Sequence, residues 1–300
     1  LPAVTPLTAS YCEARQRLPE AILWELVCQT GRAIHEKAKR SWLYHGRAVK
    51  VIDGSTVTMP DTPENQAAYP QQASQAPGLG FPIARILVIF SLAVGTVLVP
   101  DWMTRAEYDA MPAELSVREI RVPVTDKTKR VRTLIIVTTL TDAKGYRAEG
   151  VRGLFRQRWE AELNLRSLKS VMQMDILRTK TPEMVRKEVA MHLLGYNLIR
   201  GIMAAAARAD QVAPRRLSFA GALHTIRSFE ETHLYDPVRI REDLARLLEL
   251  IAKKPKVGGR PDRYEPRAVK RRPKPHPLLT IPREEARRLI ERGIIPYDKT

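Results

Sequence analysis

Leu154 to Lys169 reads LFRQRWEAELNLRSLK, and Phe155, Arg158, Glu162 and Lys169 within it follow the pattern aromatic-x2-Arg-x3-Glu-x6-Lys. At about 3.6 residues per turn, offsets of three, seven and fourteen return to nearly one side of an α-helix. One face then presents an aromatic ring, a guanidinium, a single carboxylate and an ammonium in a row. A carboxylate set between cations suits a site that holds a divalent metal and grips phosphate. A solvated helix face with i,i+4 ion pairs would use the same letters. The rest of the chain has to decide between them.

Charge moves the balance. Fifty Lys and Arg against 33 Asp and Glu leave +17 on 300 residues, a field that attracts polyanions, of which nucleic acid is the commonest. Apolar content of 44% is ordinary for a globular chain, and the length allows one large domain or two smaller ones. Cys12 and Cys28 are the only cysteines; they form neither a disulfide framework nor a zinc site, so a reducing compartment is expected. The chain opens Leu-Pro without Met, as a fragment or trimmed product would, and carries no recognisable signal peptide. Ile83 to Val99 is the longest apolar run, but Arg85 interrupts it. It reads as two buried strands rather than a membrane span.

Periodicity assigns helix to residues 11–40, with Leu18, Ile22, Leu26 and Ala33 facing a core. A short strand at 48–52 meets a turn at Asp53-Gly54-Ser55. Pro60 to Pro82, rich in Pro, Gln, Ala and Gly, reads as a loop with no reason to pack. Strands follow at 84–92 and 95–99. Val117–Val124 and Val131–Leu140 form a strand pair turning at Asp126 to Lys129. A long helix should cover 148–172, with Trp159 packing it against the sheet. Another starts at Thr181 with Pro182 in its first position and runs to Arg208, and an amphipathic one covers 237–252. Lys253 to Pro277 holds ten Lys or Arg, two acids and six Pro, an extended arm suited to a phosphate backbone.

Asp53, in VKVIDGST, would project a carboxylate from the rim of a sheet. Most Asp residues in such settings cap turns. Paired with Glu162 from a later helix, it gains meaning, because hard divalent cations take oxygen ligands gathered from separate elements. The six histidines show no ligand spacing, and His192 reads as a packed helical residue. Ser55 lacks a His in any nucleophilic arrangement, and Gly78-Leu79-Gly80 lacks the setting of a phosphate loop.

At these residues the chain resembles the DDE transposases of bacterial insertion sequences, in particular the insertion-sequence-four family. That family carries Tyr-x2-Arg-x3-Glu-x6-Lys around its third catalytic acid, and here Phe155 stands in place of the Tyr. VIDGSTVTMPDTPENQAAYPQ, TTLTDA and KTPEMVRKEVAMHLLGYNLIR look similar too, so the likeness spans about residues 10 to 280. It implies an α/β, RNase H-like mixed sheet flanked by helices, with a β-rich insertion and a helical C-terminal part. The implied divisions are a helical segment at 1–45, a catalytic core at 46–208 with its insertion at about 101–142, a helical region at 209–252 and a basic tail at 253–300. Asp53 and Glu162 would be catalytic and would hold Mg2+ or Mn2+. Arg158, Arg166, Lys169, Lys270, Arg271 and Arg272 would bind DNA, at element ends and target, in the cytoplasm of a bacterium. No membrane partner is implied, and an oligomer is compatible with the pattern.

One departure is expected to matter. The family places a second catalytic Asp, in an Asp-Arg-Gly-Phe/Tyr-like motif, after its fourth core strand, and no such motif occurs here. Residues 95–99 run directly into Pro100-Asp101-Trp102-Met103, so a long internal segment is expected to be missing at a join near Val99. Asp101, Asp109, Asp126 and Asp142 lie between the two matched acids, and none has the right context. A transposase that cleaves and transfers DNA strands is therefore set beside a shortened remnant that only binds DNA. A nuclease of the same fold on other substrates and a scaffold protein rank below both.

Overall fold

The computed structural model describes residues 8–99, 104–112, 114–125, 131–232, 240–254, 257 and 280–294. The chain is mixed α/β. Helices α1 (Thr8–Arg17) and α2 (Glu20–Glu36) lead into strand β1 (Lys50–Thr58), the short helix α3 (Pro63–Ala68) and strands β2 (Ile83–Ser91) and β3 (Val97–Leu98). These strands form an antiparallel sheet in the order β1-β2-β3, with Asp53 opposite Val88 and Phe90 opposite Val97. Its parallel element is one bridge, Thr58 to Ile176. Helix α4 (Arg105–Asp109) and strands β4 (Arg118–Thr125) and β5 (Val131–Thr138) follow, the last two as a separate hairpin. Then come α5 (Ala148–Arg156), α6 (Trp159–Arg166), a π-helical turn at Ser167–Val171, and α7 (Pro182–Ala209). Helices α8 (Phe219–Thr232), α9 (Ile240–Lys253) and α10 (Arg283–Glu291) complete the described elements.

Helix α7 organises the core. Its apolar composition and length would suffice to cross a bilayer, yet Val185, Leu193, Tyr196 and Met203 are buried against Val27 of α2, Phe90 of β2, Phe219 of α8 and Ile251 of α9. Parallel packing on α2 is pinned by Arg186 to Glu20 at 2.9 Å and by Arg208 to the Lys37 carbonyl at 2.7 Å. The hairpin has its own small core, in which Ile120, Val122 and Ile136 pack on Val151 of α5. The strand pair expected at 117–140 thus forms, although its turn lies outside the described residues, as do Asp101, Lys270, Arg271 and Arg272.

Several expectations need correction. Leu18, Ile22, Leu26 and Ala33 are exposed, and α2 instead buries Leu23, Val27 and Gly31. The cause is Gly31: a Cβ there would stand 2.2 Å from the Val97 carbonyl oxygen, so only the face carrying this glycine lets α2 reach β3. Asp53-Gly54-Ser55 is mid-strand, not a turn, because Thr56, Val57 and Thr58 continue the extended run. Residues 60–82 do pack. Thr62 caps α3, and the buried Asn65 donates to the Pro60 and Thr179 carbonyls at 3.1 and 3.2 Å. Gln71 bridges the Gln75 and Ala76 carbonyls and accepts from Gly78 and Gly80. The extended arm expected at 253–277 lies almost wholly outside the described residues; beyond it, α10 docks on the 60–82 loop through Arg283, paired with Asp61 at 2.8 Å and lying 3.8 Å over the Phe81 ring.

The sheet is incompletely covered. β2 pairs with β1 along its whole length, but only Ile89 and Phe90 find partners in β3. Where β3 stops, Trp24, Ile86, Val88, Leu98, Val99 and Leu193 surround an apolar cavity of about 230 Å³. On the outer face Ile52 is 55% and Leu87 68% exposed, an unusual state for large apolar side chains in a sheet.

Candidate active site

The helix expected at 148–172 is divided, and the division sets the site. Gln157 and Arg158 donate backwards to Leu154 and Phe155, at 2.9 and 3.1 Å, as i to i−3 bonds. Such bonds wind the chain tighter than an α-helix. Farther on, the Ser167–Val171 turn is π-helical and carries Lys169. The four signature residues therefore sit on a locally rewound surface rather than one straight face. Trp159, expected to pack on the sheet, is 55% exposed instead.

Ala161, Asn164, Leu165 and Leu168 form the buried side of this segment. Helix α6 packs on β1. Along β1, Val51, Asp53, Ser55 and Val57 are more buried than the intervening Ile52, Gly54 and Thr56, the alternation of a strand with one face on the core. Asp53 and Glu162 are both half-buried, on elements in contact. Asp53 Oδ1 accepts the Gly54 N–H at 2.9 Å.

Ion pairing along the signature segment is the decisive geometry. Glu162 has Arg158 four residues before it and Arg166 four residues after it, the spacing at which helix salt bridges form. Elsewhere the same spacing is used, as in Arg105 with Asp109 and Lys253 with Glu249. Among the described residues neither Arg158, Arg166 nor Lys169 pairs with Glu162. The Arg158 guanidinium instead lies 5.9 Å over the Phe155 ring, so the aromatic at this position packs on the arginine without a hydroxyl. A carboxylate left free among cations fits a hard divalent ion, which takes oxygen ligands and accepts one or two carboxylates alongside substrate phosphates. Among the described residues no cluster of three or more acidic, histidine or cysteine side chains could hold such an ion. Asp109 is paired with Arg105, and Asp142 caps the Lys144 and Gly145 amides at 2.9 and 3.0 Å.

A buried polar network supports α6 from behind, and the sequence reading did not single it out. Arg200 of α7 donates through Nη2 to Asn164 Oδ1 and through Nε to the Tyr196 hydroxyl at 2.8 Å. That hydroxyl donates in turn to the Gly95 carbonyl at 2.9 Å. Burial pushes the Tyr196 phenol above its ordinary pKa against the pull of Arg200. Gly95 has φ of +77°, and a Cβ there would lie 3.0 Å from the guanidinium carbon. The available signal was Asn197 and Arg200 standing among apolar letters in LLGYNLIR.

Comparison with known proteins points to transposases. The family profile described as Transposase DDE domain matches residues 95–198, which include Glu162 and the Arg200-bound Asn164 but not Asp53. Transposase InsG of insertion sequence element IS4, from Escherichia coli K12, is 24% identical over 359 aligned positions, covering 92% of this chain and 80% of that protein. The putative transposase InsL of IS186A, from the same strain, and the transposase of IS421, from Escherichia coli, are each 36% identical over 70 residues, 23% of this chain and 19% of theirs. No solved structure matches. The chain is thus similar to the IS4 transposase over most of its length, and residues 95–198 match a transposase DDE domain.

Proposed function

We propose that this chain acts on DNA as an insertion-sequence transposase, by divalent-metal-dependent strand cleavage and strand transfer on an RNase H-like core. The observation that carries the reading is Glu162, which among the described residues pairs with neither Arg158 nor Arg166, on a helix packed against the strand of Asp53. Asp53 and Glu162 would hold Mg2+ or Mn2+, an ion that when bound activates an attacking oxygen and stabilises a leaving one. Arg158, Arg166 and Lys169, which pair with no acid among the described residues, would hold phosphate oxygens and offset the negative charge growing on them. Water attacking the phosphodiester at an element end would release a 3′ hydroxyl, which then attacks target DNA. The basic arm with Lys270, Arg271 and Arg272 adds sequence-independent affinity, in the cytoplasm of a bacterium.

A second reading has its own support: a shortened transposase that binds DNA without cutting it. The IS4 match spans 359 positions but takes in 92% of this 300-residue chain, about 276 residues, so about 83 positions of the alignment (359 less 276) have no residue of this chain opposite them. The family match begins at Gly95, β3 stops after two residues, and the apolar cavity lies beside Leu98 and Val99. A lost segment at this join would take the second acid, a strand and a covering helix with it.

Strand cleavage of element-end DNA in Mg2+ and in Mn2+, for the chain and for Glu162→Gln, separates the two. Cutting by the chain that chelation and Glu162→Gln both abolish supports the first. Salt-sensitive binding with no cutting in either metal selects the second. Equal cutting by both proteins would reject the site.

A further inference from the structure

Four segments far apart in sequence enclose a second, smaller cavity of about 120 Å³. Residues of the stretch 41–49, Leu92 and Ala93 after β2, Gln157 at the entrance to α6, and Ala213 and Arg215 at the 3₁₀ turn Pro214–Arg216 line it together. Its volume is about four times water's ~30 Å³ share of the liquid, room for an oxyanion and its oxygens. Two arginines, Arg47 and Arg215, line this cavity, and no acidic residue is among its lining. Arg47 spends its Nε–H on the Tyr146 hydroxyl at 2.8 Å and lies 5.5 Å over that ring. Arg215 spends one Nη1–H on Gln157 Oε1. An arginine has five N–H donors, so these bonds orient each fork and leave the rest of it uncommitted. Among the described residues neither guanidinium pairs with an acid. The hydroxyl of Tyr44, in the same lining, is buried without a hydrogen-bond partner.

Two like charges held at one cavity repel unless an anion lies between them, and paired guanidinium forks match the oxygens of a phosphate. We infer that the Arg47–Arg215 cavity binds one backbone phosphodiester of DNA. The inference deepens the DNA reading proposed above and rests on it. Gln157 directly precedes Arg158, so a phosphate held here would fix the duplex at the start of the helix that carries Glu162. This would set which phosphodiester reaches the acids.

Fluorescence anisotropy on a labelled duplex, from 50 to 300 mM salt, tests it in the full chain. Each phosphate neutralised contributes about 0.9 to the slope of log K against log salt. Arg215→Ala should bind about tenfold more weakly at low salt and lose about one unit of slope. Ser41→Asp puts a carboxylate among the lining residues at an exposed position and should weaken binding by a similar factor. Arg105→Ala removes an equal charge from an exposed helix elsewhere and should leave the slope within error. Unchanged slopes in Ser41→Asp and in a folded Arg215→Ala would overturn the site while leaving the DNA reading intact. No duplex binding by the unmodified chain would overturn both. Inorganic phosphate should compete with the duplex for the unmodified chain and less for Ser41→Asp; phosphate that binds without displacing DNA would reject a DNA phosphodiester as the occupant.

Discussion

Asn197 holds Val97 by both of its backbone groups: the Val97 N–H donates to Asn197 Oδ1 at 2.7 Å, and Asn197 Nδ2 donates to the Val97 carbonyl at 3.0 Å. One side-chain amide thus does for β3 what a neighbouring strand would do. The same Nδ2 reaches the Val27 carbonyl of α2 at 3.2 Å, which ties helix, strand and α7 at one buried atom.

Replacing Asn197 by Leu keeps its volume and removes all three bonds. An unsatisfied buried backbone group costs about 1–3 kcal/mol, and Val97 would carry two. Asn197→Leu should lose about 3 kcal/mol or more in chemical denaturation, with an unchanged m-value. A loss below about 1 kcal/mol would show that water replaces the amide.

Gly31 offers a test by sign. In an exposed helix interior, Gly to Ala stabilises by about 1 kcal/mol. Here the added methyl would meet the Val97 carbonyl oxygen at 2.2 Å, and backbone cannot give way as a side chain can. Gly31→Ala should therefore destabilise, by about 2 kcal/mol on the scale of core overpacking. A rise in melting temperature would mean that α2 does not sit against β3.

That contact also marks the limit of what the letters reveal. The segment leading into and through α2 offers two apolar rows, Leu18-Ile22-Leu26 and Leu23-Val27-Gly31, and periodicity favours the one richer in leucine and isoleucine. The choice was made by close approach to a strand 66 positions away, from residue 31 to residue 97, which no local window contains. Asp53 was legible as an acid on an early strand, but its position within that strand depended on pairing with β2. The spacing of Phe155, Arg158, Glu162 and Lys169 located the candidate site. It did not reveal that i−3 bonds at Gln157 and Arg158 rewind the helix, nor that Arg158 prefers the Phe155 ring to the Glu162 carboxylate. Helix α7, long and framed by Pro182, was readable end to end because its own sequence decides it.

Arg200 is buried, with Asn164 and Tyr196 as its hydrogen-bond partners and the Tyr196 and Phe219 rings on its faces, each 5.2 Å away. A lysine cannot reproduce a planar fork bonded to two acceptors. Arg200→Lys should cost about 2–3 kcal/mol, within the range for losing hydrogen bonds to a charged group. Under the proposed function it should also lower cleavage more than DNA affinity, because Asn164 lies one half-turn past Glu162. Equal losses in cleavage and affinity would make Arg200 a purely structural residue.

Two histidines give the fold a pH dependence with a definite sign. Burial lowers the pKa of His35, aided by the nearby Lys50 and opposed by Glu36, and its Nδ1 lies 2.8 Å from Ser91 Oγ. Burial likewise lowers His192, with Glu188 opposing and Arg178 assisting. In the unfolded chain both protonate near pH 6.5. Below that value the unfolded state binds more protons than the folded one, so the stability is fully present above about pH 7 and falls as the pH drops through 6.5 toward the lowered folded values. The slope is at most about 1.4 kcal/mol per pH unit for each histidine. Glu107, Glu183 and Glu249, whose pKa values are lowered by hydrogen bonds to Thr104, Lys187 and Lys253, contribute only at more acid pH, below about 4.5. Urea midpoints should thus be flat from pH 8 to 7 and decline from 6.5 to 5. His35→Gln, which can still reach Ser91, should reduce that decline by about half. A midpoint that rises as pH falls through 6 would mean that these imidazoles gain a proton on folding.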